Sequence, residues 1–188
     1  MMYLEKEQKI RAGIIAFGIV FLIISFFLDF FALSLAQAIQ NPLFSYILEW
    51  ASYALSLVFV MLIMTSLFMW EENKKDWIIP TWIAFMAALI LTLILKIIVA
   101  RDRPSDYPLY SFPSTHAATC FSLVPLLDKV YPMLKWFWLF FAVIVGVSRL
   151  YLQVHWLSDV IAGALIGYCI GLAMLYLKKK YNLFGASL

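Results

Sequence analysis

The sequence predicts an all-α membrane protein, a bundle of six transmembrane helices. Three observations carry this reading. Hydrophobic residues make up 65% of the 188-residue chain and charged residues 13%, about half the charged share of an ordinary soluble protein. The apolar residues fall into six runs separated by polar or proline-containing segments. On that layout, ten of the fourteen Lys and Arg residues lie on one side of the membrane. A soluble fold of this size has too little interior for so many apolar side chains, and a disordered chain needs the opposite composition. Because a spanning helix takes roughly 20 apolar residues, one integral membrane domain over residues 1–188 uses the whole chain.

The first run extends from about residue 13 to 35, behind Lys6, Lys9 and Arg11. Ala36-Gln37-Ala38 resembles a signal-peptidase site. The stretch from Ala12 to Leu28 nevertheless exceeds the roughly 7–15 residues of a signal-peptide core, so a retained span is expected. The second run covers 44–70 and ends at the polar hexapeptide Glu71–Asp76. The third covers 77–100. Residues 101–113 then hold three of the seven prolines and read as loop. The fourth run, 115–128, is short and has Pro125 near its end. The fifth is 133–147, and the sixth, 156–177, stops at Lys178-Lys179-Lys180.

Six spans place both termini and the loops near 71–76 and 128–135 on one side, with Lys6, Lys9, Arg11, Lys74, Lys75, Lys129, Lys135 and Lys178 to Lys180. By the positive-inside bias this side is cytoplasmic. Lys96, Arg101, Arg103 and Arg149 lie opposite and need another reason. Trp70, Trp77, Tyr107, Tyr110, Trp136 and Trp156 near run ends suit an interfacial belt.

Three polar clusters gather at that opposite face: Lys96 to Arg103-Pro104, Pro113-Ser114-Thr115-His116, and Ser148-Arg149 to His155 and Asp159. They contain both histidines of the chain. Ionisable groups at membrane depth are costly and point to function. Lys96 alone would be read as snorkelling to the interface. Together with Arg103 and Arg149 it forms a cationic set suited to the oxygens of a phosphate. Ser114 reads as a helix N-cap, and a helix N-terminus binds anions. His155 and Asp159, four apart, share a helix face, so the carboxylate can fix one imidazole nitrogen and leave the other as nucleophile or base. His116, at a helix N-terminus, suits proton donation to a leaving oxygen. Asp29 and Glu49 stand near the same face, either lining the site, pairing with Arg101 or simply interfacial. Asp102 and Asp106 read as solvated. Two histidines on different helices and two cysteines (Cys120 and Cys169) in apolar runs give no metal-ligand set, and no cofactor is expected.

Gly163, Gly167 and Gly171 continue the four-residue spacing of His155 and Asp159. Glycine at this spacing lets helices approach closely. Packing into the bundle is the expectation, with a homodimer interface as the rival. No nucleic-acid partner is expected.

The ordered patterns K-x6-R-P, P-S-x-H and S-R-x5-H-x3-D over residues 96–159 resemble the signature motifs of the type 2 phosphatidate phosphatase superfamily. Its members include bacterial lipid phosphatases, undecaprenyl diphosphate phosphatases, glucose-6-phosphatase and vanadium haloperoxidases. The resemblance implies a metal-independent membrane lipid phosphatase. Lys96, Arg103, Ser114, Thr115 and Arg149 would bind phosphate, His155 would form a phosphohistidine, Asp159 would orient it, and His116 would serve as acid and then base. Thr115 stands where the family usually has glycine. The substrate is expected to be a membrane lipid phosphate reached from the outer leaflet of a prokaryotic cell membrane. A polyprenyl diphosphate is favoured, with phosphatidylglycerophosphate or phosphatidate as alternatives. An anion or lipid transporter is a more remote reading, since polar residues would then continue across the bilayer. An intramembrane serine hydrolase built on Ser114 and His116 lacks a G-x-S-x-G elbow and leaves the cations unexplained.

Overall fold

A computed structural model describes the backbone of residues 2–43, 45, 46, 48 and 54–181. Its helices are α1 (Met2–Ala38), α2 (Ala54–Glu71), α3 (Ile78–Val99), α4 (Thr115–Val130), α5 (Lys135–Tyr151) and α6 (Leu157–Tyr181). Short 3-10 turns, Lys75–Trp77 and Pro132–Leu134, link α2 to α3 and α4 to α5. No strand occurs among the described residues.

Among the described residues, four segments are long and apolar enough to cross a membrane: Lys9–Ala38, Lys75–Val99, Pro132–Tyr151 and Leu157–Tyr181. The expected count of six is therefore not reached by this measure. The described apolar part of the second helix is shorter, Leu62–Glu71. The 16 residues of α4 rise only about 24 Å, against a hydrocarbon core of ~30 Å. The reason lies in where α4 sits. Ala117, Ala118, Thr119, Ser122, Leu126 and Leu127 are buried around its circumference, so α4 is the hub of the bundle and presents little surface to lipid. Its polar residues are satisfied internally, with Thr119 Oγ1 donating to the Thr115 carbonyl and Ser122 Oγ to that of Thr119.

Helix boundaries also differ from the hydropathy runs. Helix α1 begins well before residue 13, because the charged residues ahead of the apolar run are themselves helix formers. Helix α5 continues past residue 147, which puts Ser148 and Arg149 in its last turn rather than in a loop.

Two surfaces of α4 organise the fold. One packs on an apolar cluster that includes Leu62 of α2, Phe85 of α3 and Ala142 and Val145 of α5. The other runs along α6, the most extensive helix pair in the molecule. There the glycine stripe faces inward, as expected. A Cβ on Gly163 would meet the Ser114 carbonyl oxygen, one on Gly167 that of Ala118, and one on Gly171 that of Ser122. Helix α1 lies against the outside of α6, where Gly18 admits the side chain of Leu165. Its remaining surface carries exposed Phe17, Phe27, Phe30 and Phe31, as a lipid-facing helix should. At the opposite end from the polar clusters, Lys178 donates to the Asp76 carboxylate at 2.9 Å and lies over the Trp77 ring. One of the lysines expected to set the topology is thus also a structural pin.

The glycine contacts give a direct test. Gly167→Ala drives a Cβ into backbone and should destabilise by about 1–3 kcal/mol, seen as a lower melting temperature in detergent. Gly13→Ala, where a Cβ meets nothing within 4 Å, should leave melting unchanged.

Candidate active site

The chain brings its polar clusters to one end of the bundle, where α3 and α5 finish and α4 and α6 begin. Two close backbone approaches set this geometry. Ser114 caps α4 and its N–H donates to the Asp159 carbonyl at 2.9 Å, while the Ser114 carbonyl lies over Gly163. The starts of α4 and α6 are thereby fastened side by side, which places His116 and His155 in one site. The intrahelical ladder of α4 begins with Ala118 donating to the Ser114 carbonyl, and Ala117 N–H reaches Ser114 Oγ at 3.5 Å. The amides of Thr115 and His116 precede that ladder and form the positive end of the helix.

Lys96 closes α3. Its buried ammonium donates to the carbonyls of Tyr110 (2.9 Å) and Ser111 (2.8 Å), which folds the 101–113 segment back over the site. Ser111 N–H bonding to the Arg101 carbonyl closes the same segment. Arg103 threads through it. Its Nε donates to the Leu109 carbonyl at 2.9 Å, one terminal nitrogen donates to the Val154 carbonyl at 2.6 Å, and that nitrogen stands 3.4 Å from His155 Nε2. Arg149 is buried, with Nε and a terminal nitrogen on Ser148 Oγ. The charges of Arg149, Lys96 and Arg103 all act on His116, and those of Lys96 and Arg103 act on His155. The three cations expected from the sequence thus converge on the two histidines. Thr115 is buried beside them, and its Oγ1 has no hydrogen-bond partner among the described residues.

His155 is 4% exposed, and its Nδ1 faces Asp159 Oδ2 at 3.4 Å. An ionised carboxylate only accepts, so Nδ1 carries the proton and Nε2 is left with its lone pair toward the cations. Asp159 Oδ2 also accepts from Trp156 N–H at 2.9 Å. Burial lowers the His155 pKa to about 4, with Lys96 and Arg103 acting in the same direction and the Asp159 hydrogen bond opposing. The ring is therefore neutral at neutral pH. Burial also lowers the Arg103 pKa from its ordinary value.

Arg101 and Asp29, whose roles the sequence left open, are drawn into this end of the bundle. Arg101 pairs with Asp29 Oδ2 at 2.7 Å and with Asp159 Oδ1 at 2.8 Å. The only signal for Asp29 in the sequence was a lone acid within an apolar run. Nothing marked Ser158, which donates to both Asp29 oxygens. Glu49 lies outside the described residues. Asp102 and Asp106 are exposed, as expected.

The depressed His155 pKa predicts a pH dependence of stability. Between pH 6.5 and about 4 the unfolded chain binds a proton at this ring that the folded chain does not, so stability falls as pH drops through that window. Melting of His155→Gln should lack this contribution, so its difference from the parent protein should change with pH between about 4 and 6.5 and be constant above pH 6.5.

The sequence model of the PAP2 superfamily matches residues 77–183, which include every cation and histidine of the site. The bacitracin transport permease protein BcrC of Bacillus licheniformis is 30% identical over 153 residues, covering 76% of this chain and 73% of that protein. An undecaprenyl-diphosphatase of Sulfolobus acidocaldarius is 36% identical over 99 residues, 45% of this chain and 47% of its own length. Among solved structures, the PAP2-type phosphatidylglycerolphosphate phosphatase of Bacillus subtilis superposes with a TM-score of 0.71 over 88% of this chain and 96% of its own, at 21% identity. That last likeness concerns the fold alone. With a family match over more than half the chain, a relative aligned along most of it and the polar clusters gathered in one place, the chain is an integral membrane enzyme of the PAP2 superfamily.

Proposed function

We propose that the chain hydrolyses the phosphate of a membrane lipid, a polyprenyl diphosphate first among the candidates, through a phosphohistidine on His155. The observation that carries this is the meeting of Lys96 and Arg103 with a neutral imidazole whose other nitrogen is held by Asp159, while Arg149 acts on the second imidazole, His116. Lys96, Arg103 and Arg149 offset the charge of the phosphate, and the α4 N-terminus with Ser114 and Thr115 adds neutral donors. His155 Nε2 attacks phosphorus, forming the P–N bond as the bond to the leaving oxygen breaks. His116, protonated when the negative charge of the bound phosphate offsets the surrounding cations, gives that oxygen its proton. His116 then takes a proton from water, whose oxygen attacks phosphorus and releases phosphate from His155. Asp159 stabilises the charge that the ring carries in the intermediate. No metal takes part in this scheme.

Six crossings with both termini cytoplasmic would put the site at the outer face, in line with the ten-to-four division of basic residues. An amphiphilic substrate is supported by the rim of the site. Leu109 and Tyr107 are exposed beside Arg103, which donates to the Leu109 carbonyl and lies over the Tyr107 ring. A lipid chain can lie against this rim while its head group reaches the cations. The undecaprenyl-diphosphatase relative supports the diphosphate, and the shared fold with a phosphatidylglycerolphosphate phosphatase keeps phosphatidylglycerophosphate and phosphatidate as alternatives. Transport is a second reading because one relative is named a transport permease. Against it, the polar cluster is confined to one end, and α4 and its neighbours meet in an apolar core beyond it.

Phosphate release from farnesyl diphosphate and from phosphatidylglycerophosphate in detergent should fall at least about a thousandfold in His155→Ala, with melting showing a folded protein. Retained turnover would remove His155 as nucleophile. Activity should survive EDTA, and orthovanadate should inhibit it as a trigonal-bipyramidal phosphorus mimic. Flux of intact substrate into liposomes without hydrolysis would favour transport.

A further inference from the structure

Arg101 is the one outer-side cation that the phosphate-binding set does not use. Its guanidinium points away from that set. One terminal nitrogen donates to Ser158 Oγ at 2.6 Å and Asp159 Oδ1 at 2.8 Å, and the other donates to Asp29 Oδ2 at 2.7 Å. The rings of Phe26, from α1, and Trp156, just before α6, lie 5.4 and 5.2 Å from its central carbon. Asp29 is buried and accepts Ser158 N–H at 2.8 Å and Ser158 Oγ at 2.7 Å. Three parts of the chain, α1, the segment after α3 and the first turn of α6, therefore meet in one closed hydrogen-bonded group directly behind His155.

This group bears on Asp159 in two ways. The first is geometric. Arg101 holds Oδ1 and Trp156 N–H holds Oδ2, so the carboxylate plane is fixed with Oδ2 toward His155 Nδ1. The second is the balance of charge. Asp159 alone with Arg101 would be a neutral pair and would do little for a cationic ring. Asp29 restores one net negative charge to the group, so the field of Asp159 at His155 survives its contact with Arg101.

We propose that Arg101 and Asp29 are positioning residues for the nucleophile, Arg101 by fixing the Asp159 carboxylate on His155 and Asp29 by offsetting the Arg101 charge. The proposal rests on the reading of His155 as nucleophile. Neither residue touches the reacting phosphate. Both act on the state of the His155 ring, which also faces Asp159 from α6, Lys96 from α3, Arg103 from the segment after α3, and His116 from α4 with Arg149 of α5 behind it.

The test uses the full chain in detergent micelles, with Asp29→Asn, Arg101→Gln and Arg101→Lys, farnesyl diphosphate as substrate, and 15N-labelled histidine. With only two histidines in the chain, a His116→Gln sample assigns the ring signals. Asp29→Asn should lower kcat about ten- to a hundredfold, on the scale of lost outer-shell partners, with KM within about twofold, and the His155 ring should need a lower pH to protonate. Arg101→Gln should lower kcat similarly and move the Nδ1 signal away from its hydrogen-bonded position, and Arg101→Lys should recover part of both. Should Arg101→Gln fail to fold, Asp29→Asn decides alone, because it keeps the half-buried cation paired with Asp159. Unchanged kcat and ring signals in Asp29→Asn, or a loss confined to KM or melting temperature, would overturn the proposal. If the parent protein releases no phosphate from any lipid while the ring signals shift as described, the positioning role stands and the reaction assigned to the site fails.

Discussion

The site depends on how closely the backbones of α4 and α6 approach at their starts. Glycines at 163, 167 and 171 remove the side chains that would otherwise hold the helices apart, and carbonyls of α4 occupy the space. In a bilayer there is little hydrophobic force to pull two apolar helices together, so close van der Waals packing must supply the association. The Ser114–Asp159 backbone hydrogen bond then fixes the relative height of the two helices. Because His116 lies two residues after Ser114, and His155 four before Asp159, this one contact determines where both imidazoles stand.

Charge placement follows from that geometry. Buried ions are costly unless each has partners, and here the partners are shared. Lys96 is satisfied by two loop carbonyls, and Arg103 by carbonyls of Leu109, Tyr110 and Val154. The same bonds that stabilise these cations hold the 101–113 segment in place. The segment is therefore part of the proposed phosphate cradle, built from backbone that a cation set has ordered. Asp159 is satisfied from three directions, by Arg101, Trp156 and His155.

Much of this was legible in the sequence because charge is scarce in it. An apolar chain makes Lys96, Arg103, Arg149 and the two histidines conspicuous, and helix periodicity puts His155 and Asp159 on one face. The inward direction of the glycine stripe was legible for the same reason, since it shares a face with a charged residue. The short fourth run was harder to read. Hydropathy reports contact with lipid, and α4 touches other helices on all sides, so its serines and threonines carry no cost that a window average can register. The pairing of Asp29 with Arg101 was legible only as one of three alternatives. That pairing joins residues 72 apart in the chain, and only the docking of α1 on α6 brings them together. The signal was present as a lone acid in an apolar run, but its destination depends on tertiary structure.

The distance in sequence between Asp29 and its partners has a consequence for biogenesis. Helix α1 emerges first from the ribosome and reaches the membrane while Arg101 and Ser158 are still to be made, 72 and 129 residues later. Asp29 can therefore reach its partners only after the segment that follows α3 and the first turn of α6 have been added. The rotation of the first helix about its own axis, which aims Asp29 at Arg101 and Ser158, is thus fixed late, by the docking of helices made after it.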